Sequence, residues 1–317
     1  MSVPARNPQE KAPAVPRVAV ILVHLEQEVL TADCIESLRH VSYPNVDIVL
    51  VDNGSTNGSG LRLQMKFPDI HFIRNETNSG FAGGNNVGIR LALERGADYI
   101  MLLNNDTVVD SGFIEPLVRY ADTNSSVGVQ GCKIYFFDPN DKLWFAGGCL
   151  KPHSGRGYHR GLLEPDSGQY DNIEETDFVT GCMMFIASHV IREVGFLDEQ
   201  WFLYLEDVDW CMRARRAGYL IVYNPRSVIW HKASSSTRHD SPVYLYFTMR
   251  NKILFVRRYS GIFHWGLRIP YFLFFYGRQL IRMRIKWKSK AGTRAVWAGL
   301  MDGLHGVTGK GSIDLLT

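Results

Sequence analysis

The apolar run Tyr99-Ile100-Met101-Leu102-Leu103 stops abruptly at Asn104-Asn105-Asp106-Thr107. A run of this kind reads as a buried strand, and its polar end then lies at the carboxyl edge of a sheet, where α/β proteins bind their ligands. A carboxylate in that place can hold a hard divalent cation through oxygen and leave positions open for phosphate oxygens. Asp106 also suits a turn or helix N-cap, but the two amides beside it at the end of an apolar strand favour the metal role. About 100 residues later comes a second acidic cluster, Glu206-Asp207-Val208-Asp209, after the aromatic stretch Trp201-Phe202-Leu203-Tyr204. Two such groups equip a chain to work on a nucleotide-diphosphate compound.

The rest of the chain builds the same kind of sheet. Residues 18–23 are apolar and β-branched and read as a first buried strand. Residues 30–39 place Leu30, Cys34, Ile35 and Leu38 on one helical face. Residues 46–51 form a second strand ending in Asp52-Asn53-Gly54-Ser55, and 71–73 a short third. A turn rich in Gly and Asn, 78–86, opens into a helix through about residue 94. This order predicts an α/β fold with a mostly parallel sheet covered on both faces. Residues 130–170 lack periodicity and read as strands and an insertion on the acceptor side. Further on, the spacing predicts a strand with a Gly kink over 178–186, helices over 188–194 and 207–217, and two late strands over 220–223 and 227–230.

The 317 residues suffice for one large domain with appendages. The division expected is an arm over 1–16, disordered by its four prolines and scattered charges, a main domain over 17–258, and a basic, aromatic helical tail over 259–317. The net charge of +3 is too small to imply nucleic-acid binding. Five dispersed cysteines without a C-x-x-C pair argue against a zinc or disulfide framework and suit a reducing cytosol. Neither a signal peptide nor a spanning helix is expected. In the tail, aromatic segments over 262–276 alternate with Arg278, Arg282, Arg284, Lys286, Lys288 and Lys290, with Pro270 as a break. That mixture suits an interfacial helix on anionic lipid. It also suits a helix packed on the main domain with a solvated basic face.

Each remaining candidate has two readings. Asp52 ends a strand and can accept a hydrogen bond from a pyrimidine N–H or a ribose hydroxyl, or it can shape an Asx turn. Gly83, Gly84, Asn85 and Asn86 permit close approach of phosphate near a helix start, or form an ordinary Gly-rich loop; they do not match the dinucleotide fingerprint. The aromatic stretch before Glu206 and Asp207 can desolvate a carboxylate and raise its pKa toward that of a useful base, or the acids can simply favour a helix macrodipole. His231 follows a buried run and can be a metal or phosphate ligand, or a hydrogen-bonded core imidazole.

Taken together, VDNGSTNGSG (51–60), NSGFAGGNNVGIRLAL (78–93), LLNNDT (102–107), FVTGCMMFI (178–186), GFLDEQWFLYLEDVDWCMRARRAGY (195–219) and WH (230–231) resemble a family 2 glycosyltransferase of the GT-A fold. They are most similar to the bacterial branch that contains rhamnosyltransferases of cell-surface polysaccharide assembly, over roughly residues 18–258. The resemblance implies a Rossmann-like GT-A domain with a membrane-associating helical tail, peripheral on the inner face of the cytoplasmic membrane. It implies that Asp52 contacts the nucleotide base, and that Gly83, Asn85, Asn86, Asn104 and Asn105 belong to the donor site. Asp106 matches the last acid of the metal motif, Asn104 stands where other members carry the first acid, and His231 completes the shell around Mg²⁺ or Mn²⁺. Asp207 matches the general base and Glu206 its neighbour.

The implied reaction is inverting transfer of a sugar, foremost L-rhamnose from dTDP-rhamnose, to a hydroxyl of a saccharide or polyprenyl-linked acceptor. UDP-galactofuranose, UDP-glucose and UDP-N-acetylglucosamine are the alternative donors, and a non-catalytic nucleotide-sugar-binding protein is the alternative outside catalysis. Two departures stand out. His24-Leu25-Glu26 replaces the family's Asn-Tyr-Asn type of segment, which removes a ring near the base. Asn57 replaces the acid often found after Gly-Ser-Thr.

Overall fold

The computed structural model describes residues 15–151, 155–232, 241–266 and 269–313. Most of the arm expected over 1–16 lies outside the described residues. The chain runs β1 (Val18–His24), α1 (Glu28–Arg39), β2 (Val46–Asp52), α2 (Ser59–Lys66), β3 (His71–Arg74), α3 (Gly80–Glu94), β4 (Tyr99–Asn104) and β5 (Thr107–Val109). It continues through α4 (Glu115–Thr123), β6 (Val127–Phe136), β7 (Leu143–Phe145), β8 (Gly148–Lys151), β9 (Arg156–His159), β10 (Glu174–Glu175) and β11 (Met183–Ala187). Then follow α5 (Ser188–Val194), α6 (Glu206–Arg216), β12 (Leu220–His231), α7 (Pro242–Gly266), α8 (Ile269–Ile281), a π-helical turn (Arg282–Lys286) and α9 (Lys290–His305).

The central sheet orders its strands β10-β12-β6-β11-β4-β1-β2-β3, with β5 added to β12 and β7 to β6. Strand β1 lies parallel between β2 and β4. Strand β11 runs antiparallel between β4 and β6, and β12 is parallel to β6. The sheet is therefore mixed: its β3-β2-β1-β4 part and the β6–β12 pair are parallel as expected, while β5, β7, β10 and β11 run antiparallel to their neighbours. Its centre is apolar on both faces because helices cover both: Val18, Val20, Ile21 and Leu22 of β1 are fully buried, as are Ile100, Met101 and Leu102 of β4.

Four sequence expectations change in detail. Helix α3 starts at Gly80, so Gly83, Gly84, Asn85 and Asn86 are helical rather than part of a turn. Glycine costs about 1 kcal/mol against alanine inside a helix, and close packing accounts for it here. A Cβ on Gly84 would lie 2.8 Å from Val23 Cγ1, and one on Gly88 2.5 Å from Ile21 Cγ2. Helix α2 was not expected, since its buried positions are only Ser59, Gly60 and Leu63 and leave no apolar period to read. The strand over 178–186 shortens to β11 because Thr180 and Met183 close a turn. The two late strands are one, β12, with a register shift between Asn224 and Val228 where Pro225 interrupts the alternation.

The boundary expected at 258/259 falls inside α7. Arg258 donates to Asp209 and Asp198 of the main domain, and Tyr259 donates to Asp209. Helix α9 packs tightly on α7, where a Cβ on Gly303 would come within 2.9 Å of Ile253 Cδ1. Ser289 caps the start of α9 by accepting from the Gly292 N–H, and Gly306 ends it in the left-handed conformation. Leu245, Phe247, Ile253, Phe272, Tyr276 and Val296 form the second apolar core of this C-terminal unit.

Candidate active site

The register between β5 and β12 pairs Ile229 with Val109, Trp230 with Val108 and His231 with Thr107. The Lys232 N–H then donates to the Asp106 carbonyl at 2.8 Å. This ladder sets the two side chains together: His231 Nε2 lies 3.0 Å from Asp106 Oδ1, with both residues buried. Neither ring nitrogen of His231 has a hydrogen-bond partner, an arrangement that is costly unless something else meets the lone pair. Two metal bonds of about 2.1 Å at a right angle place their donor atoms about 3.0 Å apart, the edge of an octahedron. The oxygen and nitrogen donors therefore fit a hard divalent cation, and Asp106 and His231 are the two residues here that would hold it. Trp144 stands edge-on to His231 at 4.5 Å and to His159 at 4.4 Å, as a wall beside the pair. Burial holds His159 well below the usual imidazole range, at about 4, so its ring is neutral.

Asp207 reaches the same edge from the far side of the chain. Its Oδ2 accepts the Gly181 N–H at 2.8 Å and its Oδ1 the Val208 N–H at 2.7 Å. The next carbonyl, that of Cys182, accepts the Asn104 N–H at 2.9 Å. One short backbone bridge thus joins the acidic cluster to the Asn104-Asn105-Asp106 turn. Burial raises the Asp207 pKa, and its backbone donors work against that rise. Burial, and then the charge of Asp207, push Glu206 well above the usual carboxylate range. Burial thus raises the proton affinity of both adjacent carboxyls, which suits acid–base work. Asp209 plays a different part: fully buried, it accepts from Arg213, Arg258 and Tyr259 and fastens α6 to α7.

The approach to Glu206 is strained. Phe202, Tyr204 and Leu205 have φ of 63°, 68° and 74°, left-handed values that cost of order 1–3 kcal/mol each for such residues. Helix α7 holds them there. Asn251 Nδ2 donates to the carbonyls of Trp201, Leu203 and Tyr204 at 3.1, 2.8 and 2.8 Å. Arg250, fully buried, donates to the Trp201 and Gly309 carbonyls. The Phe202 carbonyl in turn accepts the Phe81 N–H from the start of α3.

The remaining predicted residues divide. Asp52 is buried at the end of β2, where its Oδ1 accepts the Ser55 N–H and its Oδ2 faces Arg74 Nε at 3.6 Å. Gly60 leaves room for that carboxylate. Asn105 donates to Thr31 Oγ1, which itself donates to the Gln27 carbonyl. His24 Nδ1 must then donate to Thr31, and Ser59 to His24 Nε2. Burial lowers the His24 pKa, in keeping with this neutral ring. The main chain of Asn104 is used by Cys182 and Thr107. Asn85 donates to the Phe81 carbonyl. Asn86 donates to the Leu197 carbonyl and Glu199 and accepts the Leu197 N–H, which ties α3 to the segment before the acidic cluster. Gly83 faces Ser79 on α3. Asp52, Asn104, Asp106, Asp207 and His231 therefore share the carboxyl edge of the sheet, whereas the side chains of Asn85, Asn86 and Asn105 serve internal ties.

Arg74, Trp144, His159 and Asn251 escaped the sequence reading. Arg74 ends a strand as Asp52 does and could have been found on that signal. Trp144 and His159 sit in the aperiodic segment, and Asn251 is one amide in a long helix, so nothing local marks them. A separate cavity of about 580 Å³, lined by Tyr135, Asn140, Asp141, Asp166 and Trp230 among others, contains none of the predicted site residues.

A sheet of this order, with acids gathered where β4 ends and β11 begins, is the GT-A architecture of glycosyltransferases. Staphylococcus aureus TarS 1–349 superposes with a TM-score of 0.56 at 14% identity, covering 90% of this chain and 80% of that one. A Pyrobaculum calidifontis mannosyltransferase in complex with GDP-Man and Mn²⁺ superposes at 0.55 and 14%, covering 95% and 79%. Residues 18–192 match the family model Glycosyl transferase family 2, and the chain belongs to that family. A Haloferax volcanii low-salt glycan biosynthesis hexosyltransferase, Agl10, is 29% identical over 83% of this chain and 84% of its own. The Shigella flexneri dTDP-rhamnosyl transferase RfbF is 28% identical over 84% and 89%. The Mycobacterium tuberculosis N-acetylglucosaminyl-diphospho-decaprenol L-rhamnosyltransferase is 25% identical over 70% and 78%. The protein is a glycosyltransferase.

Proposed function

We propose that the chain transfers L-rhamnose, with inversion, from dTDP-rhamnose to a hydroxyl of a saccharide carried on a polyprenyl lipid. The observation that carries the chemistry is the backbone bridge through Gly181, Cys182 and Asn104, which sets Asp207 and the Asp106–His231 pair on one edge. Asp207 takes the proton of the acceptor hydroxyl. The oxygen forms its bond to the anomeric carbon as the bond to the diphosphate breaks on the opposite face, and the nucleoside diphosphate leaves. Asp106 and His231 would hold Mg²⁺ or Mn²⁺, which when bound would supply positive charge for the diphosphate; the neighbour solved with Mn²⁺ supports a divalent cation. Asp52 orients the nucleotide base, with Arg74 beside it. Burial, and then the charge of Asp207, raise the Glu206 pKa, which disfavours a second negative charge beside Asp207.

The donor and acceptor rest on the two rhamnosyltransferase relatives, one of which acts on a decaprenol-linked sugar by its name. The hexosyltransferase relative supports the second reading, another hexose donor on the same site. No helix among the described residues is long and apolar enough to cross a membrane.

A thermal-shift panel tests the donor. A ligand at a hundred times its Kd stabilises a fold by about 2.7 kcal/mol. dTDP-rhamnose should raise the unfolding midpoint, and more so with Mg²⁺ or Mn²⁺. A shift with UDP-galactofuranose, UDP-glucose or UDP-N-acetylglucosamine and none with dTDP-rhamnose would replace the donor assignment.

A further inference from the structure

From Ser241 to Met301 the chain contains no Asp or Glu while Lys and Arg recur throughout. Several of these cations are spent internally. Arg250 is buried on backbone carbonyls, Arg257 donates to the carbonyls of Gly303 and Leu304 at the end of α9, and Arg258 pairs with Asp198 and Asp209. Arg278, Arg284 and Lys288 are not spent in this way. They are exposed, and none of them makes an ion pair with a carboxylate among the described residues.

The apolar residues of the same segment divide in a matching way. Phe272, Tyr276 and Met283 turn inward onto α7, where the Tyr276 hydroxyl donates to the Met249 carbonyl. On the other side, Phe274 is 71% exposed, Ile281 60% and Ile285 69%, and Trp297 of α9 is 56% exposed. Phe274, Arg278, Ile281 and Ile285 recur at spacings of four, three and four, which is one helical face. Ile281, Arg284, Ile285 and Trp297, with Leu280 and Thr293, also line a single cavity of about 310 Å³ between the π-helical turn and α9. The exposed apolar groups are therefore one patch rather than scattered surface residues, with Arg278 and Arg284 within it and the exposed Lys288 just after the π-helical turn.

We infer that this face, formed by α8, the π-helical turn and α9, docks on an anionic lipid surface, with Phe274, Ile281, Ile285 and Trp297 entering the interface and Arg278, Arg284 and Lys288 meeting the headgroups. Apolar side chains flanked by Lys and Arg gain both burial and attraction at such a boundary, and Trp favours the headgroup level. A second copy of the chain is a poor occupant. A two-fold contact would bring each Arg and Lys toward its like, with no acid from the same segment to answer it. The face deepens the reading of a lipid-linked acceptor and rests on it for its purpose, but its test is independent of transfer.

The experiment is flotation of the full chain with vesicles of phosphatidylcholine alone and with added phosphatidylglycerol, together with its sedimentation behaviour and donor hydrolysis. The protein should float with the anionic vesicles and not with the neutral ones, and should release at 1 M salt, where the screening length falls to about 3 Å. The triple variant Arg278→Gln, Arg284→Gln, Lys288→Gln should lose about a hundredfold in partitioning. The variant Ile281→Ser, Ile285→Ser, Trp297→Ser should fail to float while keeping the parent's unfolding midpoint, monomer mass and donor hydrolysis. No flotation of the parent, or equal flotation of the apolar variant, would overturn the inference. So would a concentration-dependent dimer that the apolar variant abolishes, since a second copy would then own the face. Loss of donor hydrolysis in the parent would instead strike the glycosyltransferase reading and leave the lipid result standing.

Discussion

Replacing Asn251 by alanine removes the amide that three carbonyls share. The carbonyls of Trp201, Leu203 and Tyr204 lie 2.8–3.1 Å from its Nδ2 and Asn251 is fully buried. An amide nitrogen has two protons, so about two full hydrogen bonds are at stake. Each is worth roughly 0.5–1.5 kcal/mol net, and a stranded buried carbonyl costs about 1–3 kcal/mol. The loss should be about 2–4 kcal/mol. The strain the amide helps restrain is at least as large, since three left-handed residues at about 1–3 kcal/mol each store roughly 3–9 kcal/mol together. The loop should relax and carry Asp207 with it. A displacement of about 1 Å at a reacting group costs on the order of 10²-fold in rate. Asn251→Ala should therefore lower kcat by about 10- to 100-fold, lower the unfolding midpoint by about 3–6 °C, and leave donor affinity within about twofold, because Asp52 and Asp106 are untouched. Asn251→Asp should also lose the grip, as it turns a carboxylate oxygen toward the carbonyls while its other oxygen still accepts from Arg250 Nε. Steady-state kinetics with donor calorimetry decide the matter. An unchanged kcat beside a lowered midpoint would mean that the loop keeps its shape without α7, and the reasoning would fail.

Four further outcomes follow from the geometry. Asp207→Asn should cost about 10²–10⁴ in kcat while retaining donor binding, and near-parental turnover removes Asp207 from the base role. Asp106→Ala and His231→Ala should each raise the metal concentration for half-maximal donor binding at least about tenfold, read by calorimetry; an unchanged requirement would move the cation elsewhere. Burial keeps the carboxyls of Glu206 and Asp207 protonated in the fold to higher pH than their ordinary values of 4.5 and 3.8. Their stabilising contribution is thus fully present below those values and is lost as pH rises through the raised ones. The acid limb of kcat/KM should lie above 3.8, and Glu206→Gln should flatten the loss of stability at rising pH; a pH–stability curve identical to the parent's would contradict this. Gly88→Ala should destabilise by about 1–3 kcal/mol in denaturant titration, because its Cβ would meet Ile21 Cγ2 at 2.5 Å, and a neutral result would loosen the α3–β1 packing argued above.

Much of the sheet was legible because burial imposes local periods. The runs at 18–23 and 99–103 are apolar without interruption and 46–51 is apolar but for Asp47, as strands covered on both faces are, and each became a parallel neighbour in the sheet. The elements that went unread lack such a period. Helix α2 buries Ser59 and Gly60, and β12 carries Pro225 at its register shift. The glycines of α3 misled for a physical reason. Glycine marks both a turn and a close helix-to-strand approach, and only the position of Ile21 and Val23 separates the two. Asn86 looked like a donor ligand, but its amide is committed to Leu197 and Glu199.

By itself the sequence determined that one strand ends in Asp52 and another runs into the turn that carries Asp106, that acids open α6, and that the tail is basic and aromatic, because these are properties of neighbouring residues. Only the tertiary structure decided that His231 faces Asp106, since that pairing comes from the β5–β12 register and from no local pattern. It likewise decided that Asn251 grips the strained approach to Asp207, and that Ile281, Ile285 and Trp297 share one outward face while Tyr276 turns inward. Backbone preference acts between residues close in the chain. Which side chains meet across it is set by how the finished sheet and helices pack.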